Sequence, residues 1–195
     1  MNSAIELENL SENLIIRFNR PEIRSPLSVF VLDELHKILD ETSKNKSIER
    51  IIFTGKDDVF ASGADLREIA QISETTAKDF ARCGQNLMSK IANSDKLTIA
   101  AINGFCFGGA LDLALACDKR IATQDAQFCH PGVGLGIITG WSGTQKLPRL
   151  IGESAALEMF LTAKRIDANE ALQIGLIDKI SDALLTDALN LSSKT

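Results

Sequence analysis

The chain has 195 residues, 45% of them apolar and 24% charged, with a formal net charge of −5, the profile of one globular domain with a real core over residues 1–195. The acidic balance, with no Lys/Arg cluster, excludes a nucleic-acid-binding surface, and no apolar stretch approaches the length of a bilayer span. Cys83, Cys106, Cys117 and Cys129 have no paired short spacing, and neither His36 nor His130 has a neighbour at metal-ligand spacing, so reduced core thiols are expected rather than a disulfide frame or a metal site. The N-terminal residues carry no signal or transit pattern, which makes the cytoplasm the expected compartment.

Residues 4–18 alternate loosely and predict two short strands joined at Ser11-Glu12-Asn13. Pro21 and Pro26 bracket a loop. Leu32, Leu35, Ile38 and Leu39 recur at helical spacing, with Asp33, Glu34, Lys37 and Asp40 opposite, and predict a helix over residues 27–44. A strand over residues 48–54 precedes Phe60-Ala61-Ser62-Gly63-Ala64-Asp65-Leu66, which turns through a glycine. The stripe Phe80, Leu87, Met88 and Ile91 predicts a helix over residues 74–93.

Residues 97–102 form an apolar strand that Asn103-Gly104 breaks. Phe105-Cys106-Phe107 leads into Gly108-Gly109 and a buried helix over residues 110–117. Strands follow at 120–123 and 126–129, then His130-Pro131-Gly132, and later Asp167 with Glu170 as a capping box for a helix ending before Gly175. Strand and helix alternate, so the fold class is α/β. Periodicity leaves a spiral of strand–strand–helix units and a doubly wound sheet both open.

A strand, a glycine turn and a helix leave the first helical N–H groups unpaired at the turn. With the helix dipole behind them they favour an anion or a developing oxyanion, and Gly109 has no side chain to keep a carbonyl away. Paired glycines would also serve simply to pack a helix on a sheet. Asp112, in the first turn of that helix, is an active-site acid or an acid stabilised by the dipole alone. An imidazole ordinarily titrates near neutrality, so His130 is a candidate for acid/base work, against the plainer reading of a hydrogen-bonded structural histidine.

The turn at residues 60–66 and the segment Gly108-Gly109 to Asp118 together resemble the paired signatures of the crotonase superfamily, the enoyl-CoA hydratase/isomerase family. Phe18-Asn19-Arg20-Pro21, the run 143–152 and the segment 168–180 extend the likeness over about residues 5–180. The resemblance implies the ClpP-like crotonase fold, a spiral of strand–strand–helix units. It also implies an acyl-CoA thioester substrate, with coenzyme A entering as part of that substrate and no separate cofactor. The N–H groups of Ala64 and Gly109 would then hold the thioester oxygen as it gains enolate character. Ala61, Asp65, Leu66, Gly108 and Gly132 would complete the substrate contacts. Arg67 would lie near the CoA phosphates, with Arg24 a weaker candidate. Trp141 falls where the acyl chain of relatives runs, and its indole either shortens that pocket or serves as core.

Two departures bear on the chemistry. Hydratases of the family use two glutamates; here the first position is Asp112 and the second, after Pro131, is Gly132. Gly140 stands where the aroyl-CoA dehalogenase branch carries its carboxylate. With at most one catalytic carboxylate, isomerisation or decarboxylation is expected before hydration, and Gly132→Glu is expected to restore part of a hydratase activity. A non-catalytic acyl-CoA-binding or assembly subunit is the alternative. About fifteen residues follow Ile180, where relatives continue with helices that cover the acyl pocket and pack across a trimer. A shortened C-terminal part and a homo-oligomer, trimer or hexamer, are therefore expected, with the apolar faces of residues 155–161 and 174–180 seeking a partner.

Overall fold

A computed structural model describes residues 3–192. Strands β1 (Ile5–Leu10) and β2 (Asn13–Phe18) form an antiparallel hairpin, and β2 is the more deeply buried because β1 is the sheet edge. A 3-10 turn at Pro21–Ile23 leads to helix α1 (Val29–Lys44), which begins at Val29 because Ser28 caps it by accepting the Val31 N–H. Strands β3 (Arg50–Thr54) and β4 (Val59–Ala61), then helices α2 (Leu66–Ile69) and α3 (Ala77–Ala92), complete the first repeat. Strands β5 (Leu97–Ile102) and β6 (Phe105–Phe107) with helix α4 (Gly109–Ala116) make the second. Strands β7 (Lys119–Ala122) and β8 (Gln127–Cys129), a 3-10 turn at Pro131–Leu135 and helix α5 (Gly143–Ile151) make the third. Helix α6 (Glu153–Thr162), strand β9 (Ile166–Asp167), helix α7 (Ala168–Gln173), strand β10 (Lys179–Ile180) and helix α8 (Leu184–Asn190) close the described chain.

The strands divide between a six-stranded sheet, β1-β2-β3-β5-β7-β10, and a four-stranded sheet, β4-β6-β8-β9. In each repeat the first strand joins the large sheet and the second the small one, parallel to its predecessor in both. That arrangement is the spiral, and the doubly wound alternative falls. The strand at Phe105–Phe107 has no expectation behind it. Three residues are too few for a period, and its pairing with Gln127–Cys129 is non-local.

Helix α4 is buried on every side, Ala110 through Ala116, so it runs through the main core rather than over it. Helix α8 covers the opposite face of the large sheet, where Ala188 packs in a second cluster with Ile15, Ile52, Leu97, Ile99, Ala101 and Ile121. It does not fold over the apolar faces at 155–161 and 174–180. Those are partly closed by the core itself, which takes Ala156, Met159, Leu176 and Ile177 and leaves Leu157 and Leu161 exposed. Among the described residues no helix is long and apolar enough to cross a membrane.

The C-terminal end of α4 is pinned by Arg120, a buried guanidinium that donates to the Cys117 carbonyl at 2.8 Å and the Leu176 carbonyl at 2.9 Å. Arg120→Met would fill the space but leave two carbonyls short of a donor. Each lost partner costs about 1–3 kcal/mol, so urea denaturation is expected to show a loss of roughly 2–6 kcal/mol. An unchanged midpoint would show that the helix end is held otherwise.

Candidate active site

Two glycines fix the backbone here. Gly63 (φ +84°) and Gly108 (φ +57°) lie in the left-handed region, immediately before Ala64 and Gly109. The turns touch, since a Cβ on Gly63 would fall 2.6 Å from the Gly109 nitrogen and 2.7 Å from the Phe107 carbonyl oxygen. The Leu27 N–H donates to the Gly63 carbonyl at 2.7 Å and fastens the first turn without using the Ala64 N–H. Gly109 opens α4, where the helix leaves its N–H free. Among the described residues neither N–H is given to a protein acceptor. Both face an apolar cavity of about 250 Å³ between the turns, α3 and the run 130–141.

Ala64, Leu66, Gly108 and Gly109 line this cavity on one side, and His130, Gly132 and Trp141 on the other. Ala61, Asp65, Arg67, Arg24 and Asp112 do not line it. Ala61 is enclosed in the core on β4. Asp65 caps α2 by accepting the Arg67 N–H at 2.9 Å, and also takes the Arg67 guanidinium at 3.0 and 2.6 Å. That guanidinium holds the Asp65 carboxyl below the usual carboxylate range. Arg67 stays largely in solvent, its side chain 77% exposed. Arg24 places its guanidinium 5.7 Å from the centre of the Phe105 ring.

Trp141 is both core and cavity wall. Its indole lies between α3 and α4, so close that a Cβ on Gly84 would fall 2.2 Å from indole Cδ1 and one on Gly109 2.4 Å from Cε3. Phe80 packs beside it with ring centres 5.6 Å apart. No sequence motif marks Gly84 as the residue that makes room for the indole.

Asp112 is fully buried, not a solvated helix cap. The Thr139 hydroxyl donates to its Oδ2, and a Cβ on Gly143 would fall 2.1 Å from Oδ1. Burial pushes the carboxyl up to about 7, against the opposing pull of Thr139 and the Trp141 and Gly143 N–H groups. Oδ1 itself lacks a hydrogen-bond partner of good geometry. His130 corrects a second expectation. It is buried with neither ring nitrogen hydrogen-bonded among the described residues, and its Nε2 lies 3.7 Å from Asp112 Oδ1. Burial lowers its pKa to about 4, so the imidazole is neutral at neutral pH. Thr139, which joins Asp112 to the cavity wall, carried no motif that would have marked it.

Gly132 offers no room for the missing acid, since a Cβ there would fall 2.7 Å from the Ile137 carbonyl oxygen. Gly132→Glu therefore disturbs the turn, whose Gly132 carbonyl accepts the Ile137 N–H at 3.0 Å, instead of restoring a carboxylate.

The two buried groups have opposite linkage to stability. Asp112, raised from 3.8 to about 7, is protonated in the folded state across that interval, so its contribution to stability falls as pH rises through it. His130, lowered from 6.5 to about 4, is protonated only in the unfolded state across its interval, so its contribution falls as pH drops. Between about pH 4 and 6.5 the slopes cancel. Relative to wild type, Asp112→Asn is expected to add a stability slope rising with pH there, up to about 1.4 kcal/mol per unit. His130→Phe is expected to add the opposite slope. Urea denaturation of all three proteins across this range checks the signs, and parallel profiles would refute them.

The description "enoyl-CoA hydratase/isomerase" belongs to the family model that matches residues 11–194. The crotonyl-CoA hydratase of Syntrophomonas wolfei is 38% identical over 177 residues, 90% of this chain and 68% of that one. The short-chain-enoyl-CoA hydratase of Clostridium acetobutylicum is 34% identical over 197 residues, 100% of this chain and 75% of that one. The crystal structure of an enoyl-CoA hydratase from Bacillus anthracis matches with a TM-score of 0.91 at 34% identity, covering 96% of this chain and 74% of that one. These names run against the expectation, drawn from Gly132, that hydration is disfavoured. With both signature turns in contact and matches spanning nearly its whole length, the chain belongs to the enoyl-CoA hydratase/isomerase family of the crotonase superfamily.

Proposed function

We propose that this protein hydrates short-chain 2-enoyl-CoA thioesters through an enolate held by the Ala64 and Gly109 N–H groups. The observation that carries this is the pair of left-handed glycine turns, which present two unpaired N–H groups to one apolar cavity. Such donors act where charge develops, and each is worth about 10²–10³ in rate. The names of the S. wolfei and C. acetobutylicum relatives support hydration among the family's reactions. Coenzyme A enters as part of the substrate, with Arg67, exposed and steadied by Asp65, as the nearest candidate for its phosphates. The non-catalytic reading draws on the missing acid at Gly132. Two buried, incompletely bonded acid/base groups beside the cavity weigh against it.

Trp141 sets the chain length in this reading, because its indole fills the space between α3 and α4. Hydration rates on a series of enoyl-CoA thioesters are expected to favour the four-carbon substrate. Trp141→Leu is expected to raise kcat/KM for an eight-carbon substrate relative to crotonyl-CoA by at least about tenfold. Absence of any turnover or binding across the series would refute the function, and an unchanged preference would refute the role of Trp141.

The protein is further proposed to form a homo-oligomer of three-fold symmetry, supported by the exposed Leu157 and Leu161 on α6. Light scattering after size exclusion at low micromolar concentration is expected to give a multiple of three subunits. A monomeric mass would contradict it.

A further inference from the structure

Gly132 leaves the site one carboxylate short of its relatives, and a side chain there would strike the Ile137 carbonyl. Hydration still needs a group to take a proton from water and a group to give one to the α-carbon. The structure holds two such groups beside the cavity. His130 lines the cavity, 98% of its side chain out of solvent, with both ring nitrogens unpaired. Burying an unpaired polar atom costs about 1–3 kcal/mol, and a histidine serving only as core would be expected to find a partner. Beside it, 3.7 Å from Nε2, is Asp112 Oδ1, which lacks a hydrogen-bond partner of good geometry among the described residues. The other oxygen accepts from Thr139, whose residue reaches the cavity wall.

We propose that His130 and Asp112 act as one acid/base unit, His130 at the substrate and Asp112 behind it, in place of the two glutamates of relatives. The proposal rests on the hydratase reading above. Neutral His130 removes a proton from water as the water oxygen bonds to the β-carbon. The π pair of the double bond moves toward the thioester, whose oxygen takes the charge at Ala64 and Gly109. The Asp112–Thr139 hydrogen bond reverses, so that the Thr139 hydroxyl gives its proton to the α-carbon as it takes the proton of Asp112. Imidazolium and carboxylate are left side by side. Proton transfer between them, from Nε2 to Oδ1, restores both groups. Water has been added across the double bond, and nothing is oxidised or reduced.

The test uses crotonyl-CoA hydration and the exchange of α-protons of butyryl-CoA with deuterium oxide, in wild type, His130→Gln, Asp112→Asn and the double variant. Calorimetry with butyryl-CoA and a cooperative thermal transition establish that each variant is folded and binds. His130→Gln is expected to lose about 10²–10⁴-fold in kcat with KM and butyryl-CoA binding unchanged. Because the pair acts as a unit, the double variant is expected to lose no more than the worse single one. A binding-competent His130→Gln with wild-type kcat would overturn the pair while leaving the hydratase reading standing. Multiplied losses in the double variant would also overturn it. Histidine-dependent α-proton exchange in a wild type that does not hydrate crotonyl-CoA would uphold the pair and overturn hydration. Absence of both reactions in wild type would overturn both.

Discussion

Everything at the site depends on the contact between two turns that belong to different repeats of the spiral. Gly63 sits so near the Gly109 nitrogen that not even a methyl group fits between them, and both turns need a left-handed glycine to point the next N–H outward. The spiral supplies this contact. β4 and β6 lie side by side and parallel in the small sheet, so the turns that follow them emerge together at the same end. A single turn of this kind is a packing device. Two in contact, with α4 running from the second into the core, present a pair of donors that no acceptor among the described residues satisfies.

The surroundings of the donors are built from the same economy of space. Trp141 closes over Gly109 and Gly84, and Gly143 lets α5 come against the Asp112 carboxylate. Each absent side chain admits a group that the next element delivers. The cost falls on Asp112 and His130, which lose water without gaining a full set of partners. Burial moves their proton affinities in opposite directions, so that a carboxylic acid and a neutral imidazole are the forms the interior favours. A site that holds one proton donor and one proton acceptor near neutrality is suited to adding the elements of water.

Much of this was legible in the chain because it is local. A glycine before each donor, a helix apolar on every side and the alternation of strand and helix are written in short windows, and the elements they predict lie within a few residues of those found. What escaped is non-local. The choice between spiral and doubly wound sheet depends on which strands pair, and the three residues of β6 take their conformation from partners twenty-two positions away, as Phe105 does with Gln127. The closeness of His130 and Asp112 arises from α4 and the end of β8 coming together beside the cavity, and no spacing rule joins them. In the sequence Gly132 is a missing acid, a matter of chemistry. It is equally a matter of space, which only the neighbouring Ile137 carbonyl reveals.

The central claim is that the Ala64 and Gly109 N–H groups polarise a thioester carbonyl. Isotope-edited infrared difference spectra of crotonyl-CoA labelled with carbon-13 at that carbonyl report directly on the bond. Bound to the protein, the carbonyl stretch is predicted to move to lower frequency than in free crotonyl-CoA, because two hydrogen bonds weaken the double bond. A bound substrate whose carbonyl stretch matches that of the free thioester would contradict the account.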